Sequence, residues 1–184
     1  KFLVKNTSYI DMLYNSYNPK RIKQGYIDVV LGKPFFDGEI DFEVDIARIR
    51  MVEENQSKKA YLTLKSKNDG IIRRELEVEI DWEKALELLP VDIIEKDRFE
   101  IKGPDRKIWE IDVFKGENKG LIIAEIELQS EDEPFEKIFI AEEDVSDDFR
   151  YFNNNLLEVP YALWIQIPNN KEEFEEKFGT SYLS

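Results

Sequence analysis

The segment Glu43–Glu53, with the sequence EVDIARIRMVE, decides the fold that we predict for this chain. Hydrophobic and polar residues alternate along it, as they do in a β-strand whose two faces have different surroundings. One face carries three aliphatic residues together with two arginines, Arg48 and Arg50. The function therefore depends on what this doubly cationic face contacts.

The same alternation recurs along the chain and predicts a largely β structure. The other predicted strands are Phe2–Lys5, Gln24–Leu31, Ala60–Lys67, Ile71–Ile80, Ile93–Lys102, Lys107–Lys115 and Leu121–Gln129. The turn signals Asn68-Asp69-Gly70 and Gly103-Pro104-Asp105 separate pairs of these strands and favour hairpins. About eight strands are a number compatible with a closed barrel.

Helical patterns are fewer than strand patterns. The predicted helices are Ser8–Tyr14, Asp81–Leu89, Asp148–Leu157 and Asn170–Phe178. Asp81 is a suitable N-cap for the second of them, and Pro90 follows its end. No repeat or linker interrupts the pattern, so we expect a single domain over residues 1–184, with a helical C-terminal segment over about 148–184.

Composition restricts the chemistry that the chain can perform. It has no cysteine and no histidine, which excludes thiolate nucleophiles, zinc–sulfur sites and histidine bases. A metal would need oxygen ligands, which suit Mg²⁺, Mn²⁺ or Ca²⁺. The net charge of −14 disfavours nucleic acid and anionic lipid as partners. With neither a membrane-length apolar run nor a visible signal peptide, a cytoplasmic location is expected.

Charged residues share single faces on the other predicted strands as well. These sets are Tyr61, Thr63 and Lys65; Arg73, Glu75, Glu77 and Glu79; Lys96, Arg98, Glu100 and Lys102; Glu110 and Asp112; and Glu125 and Glu127. Such faces are most often the solvated side of a half-exposed sheet. Alternatively, they line a barrel lumen in which basic pairs bind phosphate oxygens and acidic pairs hold a metal. Alternation and composition leave both interpretations open.

Several of these stretches together resemble the CYTH family, also called the triphosphate tunnel metalloenzymes. The matching stretches are Lys1-Phe2-Leu3-Val4, Arg48-Ile49-Arg50, Leu62-Thr63-Leu64-Lys65, Arg73 with Glu75, Glu77 and Glu79, Ile94-Glu95-Lys96-Asp97-Arg98, Glu110-Ile111-Asp112 and Ala124-Glu125-Ile126-Glu127-Leu128. Residues 116–121, 130–133 and 150–156 are also similar to segments of the family. Together the matches follow the family order from Lys1 to about Leu157. The two glutamates of the family's opening Glu-x-Glu-x-Lys motif would lie just before Lys1.

The resemblance implies an α+β fold, a closed eight-stranded antiparallel β-barrel with a few helices packed outside. It also implies metal-dependent hydrolysis of triphosphate compounds, with Mg²⁺ or Mn²⁺ as the cofactor. Inorganic triphosphate is the first expected substrate, and nucleoside triphosphates are further candidates. No expectation about the oligomeric state follows.

The resemblance further implies roles for individual side chains. The expected phosphate-binding residues are Arg48, Arg50, Lys65, Arg73, Lys96 and Arg98. Glu125, Glu127 and Asp112 are expected at the metal, and Asp112 is also expected to orient the basic residues. Glu75 and Glu77 are expected to assist a second metal or to orient water, and Lys1 to position or activate the attacking water.

Other functions fit the same motifs. Some relatives are called adenylate cyclases, but an adenine pocket is not identifiable in the sequence. A thiamine triphosphatase would need an aromatic residue stacked on the thiazolium ring, and the chain has too many aromatic residues to single one out. A polyphosphate-binding module without catalytic activity is the third alternative. Assays with several triphosphates separate these possibilities.

Overall fold

A computed structural model describes residues 1–36, 38–67, 74–130 and 132–166. The strands are β1 (Phe2–Leu3), β2 (Lys20–Ile27), β3 (Val44–Glu54), β4 (Ser57–Ser66), β5 (Glu75–Ile80), β6 (Ile94–Lys102), β7 (Ile108–Phe114), β8 (Ile122–Ile126) and β9 (Glu143–Asp144). The α-helices are α1 (Tyr9–Ser16), α2 (Val29–Gly32), α3 (Trp82–Leu88) and α4 (Asn153–Glu158). Short 3₁₀ segments lie at Lys33–Phe35, Gly116–Asn118, Phe149–Tyr151 and Tyr161–Gln166.

The described residues group into two compact units. The first unit contains Lys1–Arg21 and the described residues from Glu95 onward, and the second contains Ile22–Ile94. Strands β2 and β6 each have residues in both units, because the unit boundaries fall near their ends. The single domain expected from the sequence remains a prediction.

The first unit is built on the antiparallel strand order β6-β7-β8-β1-β9. One face of this sheet is apolar, with Phe99 opposite Ile111 and Ile111 opposite Ala124. Leu13 of α1 packs into the same buried cluster as these residues. Because successive residues of a strand point to opposite faces, the charged residues between them lie on the other side of the sheet.

The second unit is built on the strand order β2-β3-β4-β5. Asn55 and Gln56 join β3 to β4 with positive φ angles of 46° and 71°, as a two-residue hairpin turn requires. Ile49 and Leu62 belong to its apolar face, which packs against α3. Arg48, Lys65, Glu75 and Glu77 occupy the opposite face.

Helix α3 covers the apolar face of the second unit for a local reason. The Asp81 carboxylate accepts a hydrogen bond from the Lys84 amide at 3.0 Å and so caps the helix. Ala85, one turn further on, is fully buried against the β3–β4 core. The predicted helix Asp81–Leu89 is therefore confirmed as α3, one residue shorter at each end.

Some predicted elements differ from the structure. The strand predicted over Gln24–Leu31 stops at Ile27, because the Asp28 carboxylate accepts from the Val30 amide at 2.8 Å and starts α2. The predicted helix Asp148–Leu157 begins instead as the 3₁₀ segment Phe149–Tyr151 and becomes α-helical in α4. Strand β9 had not been predicted. The predicted turn Asn68-Asp69-Gly70, the first three residues of the predicted strand Ile71–Ile80, and the helix Asn170–Phe178 lie outside the described residues.

The antiparallel β architecture with a few helices is confirmed, but closure into an eight-stranded barrel is not. Nine strands are described. The strand order of the first unit ends at β6 and β9, and that of the second ends at β2 and β5, so neither sheet closes on itself within the described ranges. Among the helices of those ranges, none is long and apolar enough to cross a membrane.

Candidate active site

The charged face of the first unit is formed by the hairpin β6–β7 and by β8. The register places Arg98 opposite Asp112, and Glu110 opposite Glu125. Lys96 lies two residues before Arg98 and therefore shares its face. Alternation predicted which of these residues share a face within each strand, and the register brings the five side chains to one side of this sheet.

Asp112 is the centre of this face. Its carboxylate accepts two hydrogen bonds from Arg98, from Nε and Nη2, each at 2.7 Å. It also accepts one from Lys96 Nζ at 2.5 Å. Arg98 uses its remaining Nη1 group on Glu110. Asp112 is 0% exposed and Lys96 is 1% exposed, so this is a buried ionic network with two cations on one carboxylate.

The network shifts the pKa values of its members in opposite directions. Burial alone would raise the pKa of Asp112, but Lys96 and Arg98 outweigh it and hold that pKa well below its usual range. Burial lowers the pKa of Lys96 to about 8, because Asp112 offsets the effect only in part and Arg98 adds to it. Arg98 is also buried, yet its bonds to Asp112 raise its pKa. Asp112 therefore stays ionised and holds both cations in place.

Lys1, Glu125 and Glu127 lie at the β8 side of the same unit. Lys1 Nζ is 3.1 Å from Glu125 Oε1 and 5.3 Å from the centre of the Phe152 ring. Glu127 lies beyond the end of β8 and is exposed. The structure therefore brings Lys1 to Glu125 but does not draw Glu127 into the buried network.

The charged face of the second unit is formed by β3, β4 and β5. Arg48 Nη2 donates to Thr63 Oγ1 at 3.0 Å, and the same hydroxyl donates to Glu77 Oε2 at 2.7 Å. Arg48 Nη2 is also 3.6 Å from Glu77. Thr63 is fully buried and thereby links β3 to β5 through β4. In the adjacent row, Lys65 contacts Glu75.

The positive charge of Arg48 is less fully balanced by nearby carboxylates than that of Arg98. Burial, and then the nearby charge of Arg50, lower its pKa to about 10. Glu77 opposes this shift, but nearly half of the Glu77 side chain is exposed to water, which weakens its effect. Arg73, which was predicted to bind phosphate, lies outside the described residues.

The carboxylates of the described residues do not form a complete metal site. Both oxygens of Asp112 already bind cationic side chains, so Asp112 does not fit the role of a metal ligand and instead orients Lys96 and Arg98. Over the described ranges, no group of three Asp, Glu, His or Cys side chains is placed to hold an ion. The predicted roles of Glu125 and Glu127 as ligands remain predictions.

Two residues of these faces were not in the set of candidate site residues, namely Thr63 and Glu110. Alternation had placed both on the correct faces, and this was the signal available in the sequence. Their importance depends on strand register, since Thr63 lies opposite both Arg48 and Glu77, and Glu110 lies within reach of Arg98.

The family assignment follows from comparison with known proteins. The family model described as the CYTH domain matches residues 1–161, which is most of the chain. The chain belongs to the CYTH family. The motifs that suggested this family are the strands that carry the two charged faces.

Two curated relatives of this CYTH protein are both called inorganic triphosphatase. The protein from Acetivibrio thermocellus is 38% identical over 141 residues, covering 74% of this chain and 87% of the relative. The protein from Nitrosomonas europaea is 33% identical over 135 residues, covering 69% and 86%.

A solved structure supports the fold of the CYTH protein independently. The crystal structure of the inorganic triphosphatase NE1496 superposes with a TM-score of 0.55 at 27% sequence identity. The superposition covers 85% of this chain and 93% of that one.

Proposed function

We propose that this CYTH protein hydrolyses inorganic triphosphate to pyrophosphate and phosphate. The observation that carries the proposal is the burial of the cations Arg48, Lys96 and Arg98, each at most 9% exposed. Buried charge is costly unless it is compensated, and a polyanion with many acceptor oxygens compensates several cations at once. Two inorganic triphosphatases align with most of the chain, which supports this particular substrate.

The proposed chemistry asks mainly for positioning and charge neutralisation. A phosphoryl group in transfer spreads negative charge over its oxygens, and fixed donors stabilise that charge. Arg48, Arg50 and Lys65 are proposed to bind phosphate oxygens. Lys96 and Arg98 are proposed for the same role, with Asp112 holding both in orientation. Arg73 is assigned the same role from the family motif alone.

The attacking water must be positioned and must lose a proton, and we assign these tasks to residues other than the phosphate-binding cations. In our proposal Lys1 positions it, and Glu75 and Glu77 orient it or accept its proton. The contact between Lys1 and Glu125 and the hydrogen bond from Thr63 to Glu77 support this, since each fixes one of these side chains.

We also propose that the charged faces line a closed barrel, as the family resemblance implies. The support is the burial of Thr63, Lys96 and Asp112, each at most 1% exposed. The solvated side of an ordinary half-exposed sheet would leave such residues in contact with water.

Dependence on Mg²⁺ or Mn²⁺ belongs to the proposal as well. A divalent ion bound by carboxylates such as Glu125 and Glu127 would neutralise phosphate charge. Since the described carboxylates do not complete a site, no step of the chemistry is assigned to the metal.

The test is phosphate release from tripolyphosphate, ATP and thiamine triphosphate, each with Mg²⁺, with Mn²⁺ and with EDTA. We expect the fastest release from tripolyphosphate and its loss in EDTA. Thermal stabilisation by tripolyphosphate without phosphate release would contradict hydrolysis and indicate a polyphosphate-binding module. Cyclic AMP formed from ATP would indicate a cyclase instead.

A further inference from the structure

Gln24 has an unusual environment within the second unit. Its side chain is 0% exposed, and neither Nε2 nor Oε1 has a hydrogen-bond partner among the described residues. Buried amides are nearly always hydrogen-bonded, because leaving both polar atoms desolvated and unpaired is unfavourable. A buried amide without a partner among the described residues is a candidate for binding a ligand.

The side chain points to the charged face of the second unit. Gln24 and Tyr26 are alternate residues of β2 and therefore share a face. Tyr26 lies close enough to Arg48 to act on its charge. The preceding residue, Lys23, is exposed on the other side of the strand. Gln24 thus shares the face on which Arg48 lies.

Next to Gln24, the strand packs closely against Pro90. A Cβ atom on Gly25 would lie 2.5 Å from Cγ and 2.6 Å from Cδ of the Pro90 ring, so only glycine leaves room for that ring. Gly25 is itself buried and faces the side opposite to Gln24. Strand β2 is therefore covered on both faces at this point.

A second unsatisfied group lies on the same face. The Nε group of Arg48 is buried and has no partner among the described residues. Two unused donors, Nε of Arg48 and Nε2 of Gln24, suit the oxygens of a phosphate group. The unused acceptor Oε1 of Gln24 suits a water molecule hydrogen-bonded to that phosphate.

We propose that Gln24 binds the substrate, with Nε2 donating to a phosphate oxygen and Oε1 accepting from a water molecule held on the phosphate. This role deepens the proposed triphosphatase function and rests on it. In this role, Gln24 is an uncharged residue among the cations that bind phosphate. Because its amide offers both a donor and an acceptor, it favours a phosphate that carries a bound water molecule over an anion that does not.

The test is the substitution Gln24→Met, which keeps the length of the side chain and removes both polar atoms. We expect kcat/KM for tripolyphosphate to fall about tenfold to a hundredfold, as for loss of a hydrogen bond to a charged group. The rise in Tm that tripolyphosphate causes should shrink in parallel. The Tm without ligand should stay the same or rise, because an unpaired buried amide has been removed.

Two further variants sharpen the test. Gln24→Glu preserves the shape but replaces the donor with a negative charge, and should weaken tripolyphosphate binding more than Gln24→Met does. Lys23→Met, on the exposed side of the same strand, should leave both kcat/KM and the tripolyphosphate-induced Tm rise unchanged.

The outcomes separate the two proposals. A wild-type protein that does not hydrolyse tripolyphosphate refutes the proposed function. An active wild type with an unaffected Gln24→Met refutes only the role of Gln24. A marked fall in the ligand-free Tm of Gln24→Met would show that the amide has a structural partner, and would also overturn the inference.

Discussion

The two charged faces are alike in residue types but differ in how their buried cations are compensated. In the first unit, Asp112 binds Lys96 and Arg98 together, which raises the pKa of Arg98, while burial still lowers that of Lys96 to about 8. In the second unit, burial and a neighbouring arginine lower the pKa of Arg48 to about 10, and its carboxylate partner Glu77 is half-exposed. The cations of the first face thus share a buried carboxylate, whereas Arg48 has one that is screened by water.

This difference assigns the two faces different tasks. Cations held by a buried carboxylate have fixed positions before any ligand arrives, and preorganised donors stabilise developing charge well. A cation that is destabilised by burial gains more when an anion binds, because the anion removes an existing penalty. The first face is therefore suited to orientation, and the second to the capture of negative charge.

The largest effect that we expect is on stability, from Asp112→Asn. The substitution leaves Lys96 and Arg98 buried without their shared carboxylate, and breaking such a network typically costs about 3–5 kcal/mol of unfolding free energy. Urea denaturation at neutral pH measures this loss.

The matched control is Glu77→Gln on the second face. The Glu77 side chain is 47% exposed and lies 3.6 Å from Arg48, so its ion pair is screened by water and contributes at most about 1 kcal/mol. Equal losses for the two substitutions would mean that the contrast between the faces is wrong.

The next largest effect is on activity, from Arg48→Met. The methionine side chain is apolar and of similar length to the aliphatic part of arginine, so the variant removes the charge but little of the packing. Since a positioned donor to a developing anion is typically responsible for about a hundredfold to a thousandfold in rate, kcat/KM for tripolyphosphate should fall by that order. Its Tm should change little or rise, because burial disfavours the Arg48 charge and its acidic partner Glu77 is half-exposed to water.

Arg74→Met is the control for Arg48→Met. Arg74 belongs to the same unit, but it is exposed and pairs with Asp41 at 3.1 Å. Its kcat/KM should equal that of the wild type. A parallel loss of Tm and kcat/KM in Arg48→Met would indicate that Arg48 supports the fold instead of binding phosphate.

Much of this contrast could be predicted from alternation. The period of two placed Arg48, Thr63 and Glu77 on one side of their strands, and Lys96, Arg98 and Asp112 on one side of theirs. The structure keeps these residues on shared faces because the other face of each strand is apolar. The apolar face packs against the helices and so fixes the orientation of the strand. The family motifs then supplied the activity, which the spacing alone could not.

Features that depend on register and on local capping could not be predicted. Nothing in the sequence shows that Arg98 lies directly opposite Asp112, because that depends on how the hairpin turn closes. Strand β2 ends at Ile27 because the Asp28 side chain accepts a hydrogen bond from the Val30 amide and starts a helix. The aliphatic residues that follow had favoured a longer strand. Gln24 looked like an ordinary polar residue of an alternating strand until its burial was known.

The smallest effect that we expect is the acid sensitivity that Asp112 confers. Folding lowers the pKa of this carboxyl from its usual 3.8, so its contribution to stability is complete above that value and is lost as the pH falls toward the folded pKa. Between pH 5 and pH 3 the unfolded chain takes up this proton while the folded chain does not, which removes about 1 kcal/mol. Unfolding free energies measured at both pH values should therefore fall by about that much more in the wild type than in Asp112→Asn. An equal fall in the two proteins would mean that folding does not lower the pKa of Asp112, and the first face would then hold its cations no more firmly than the second.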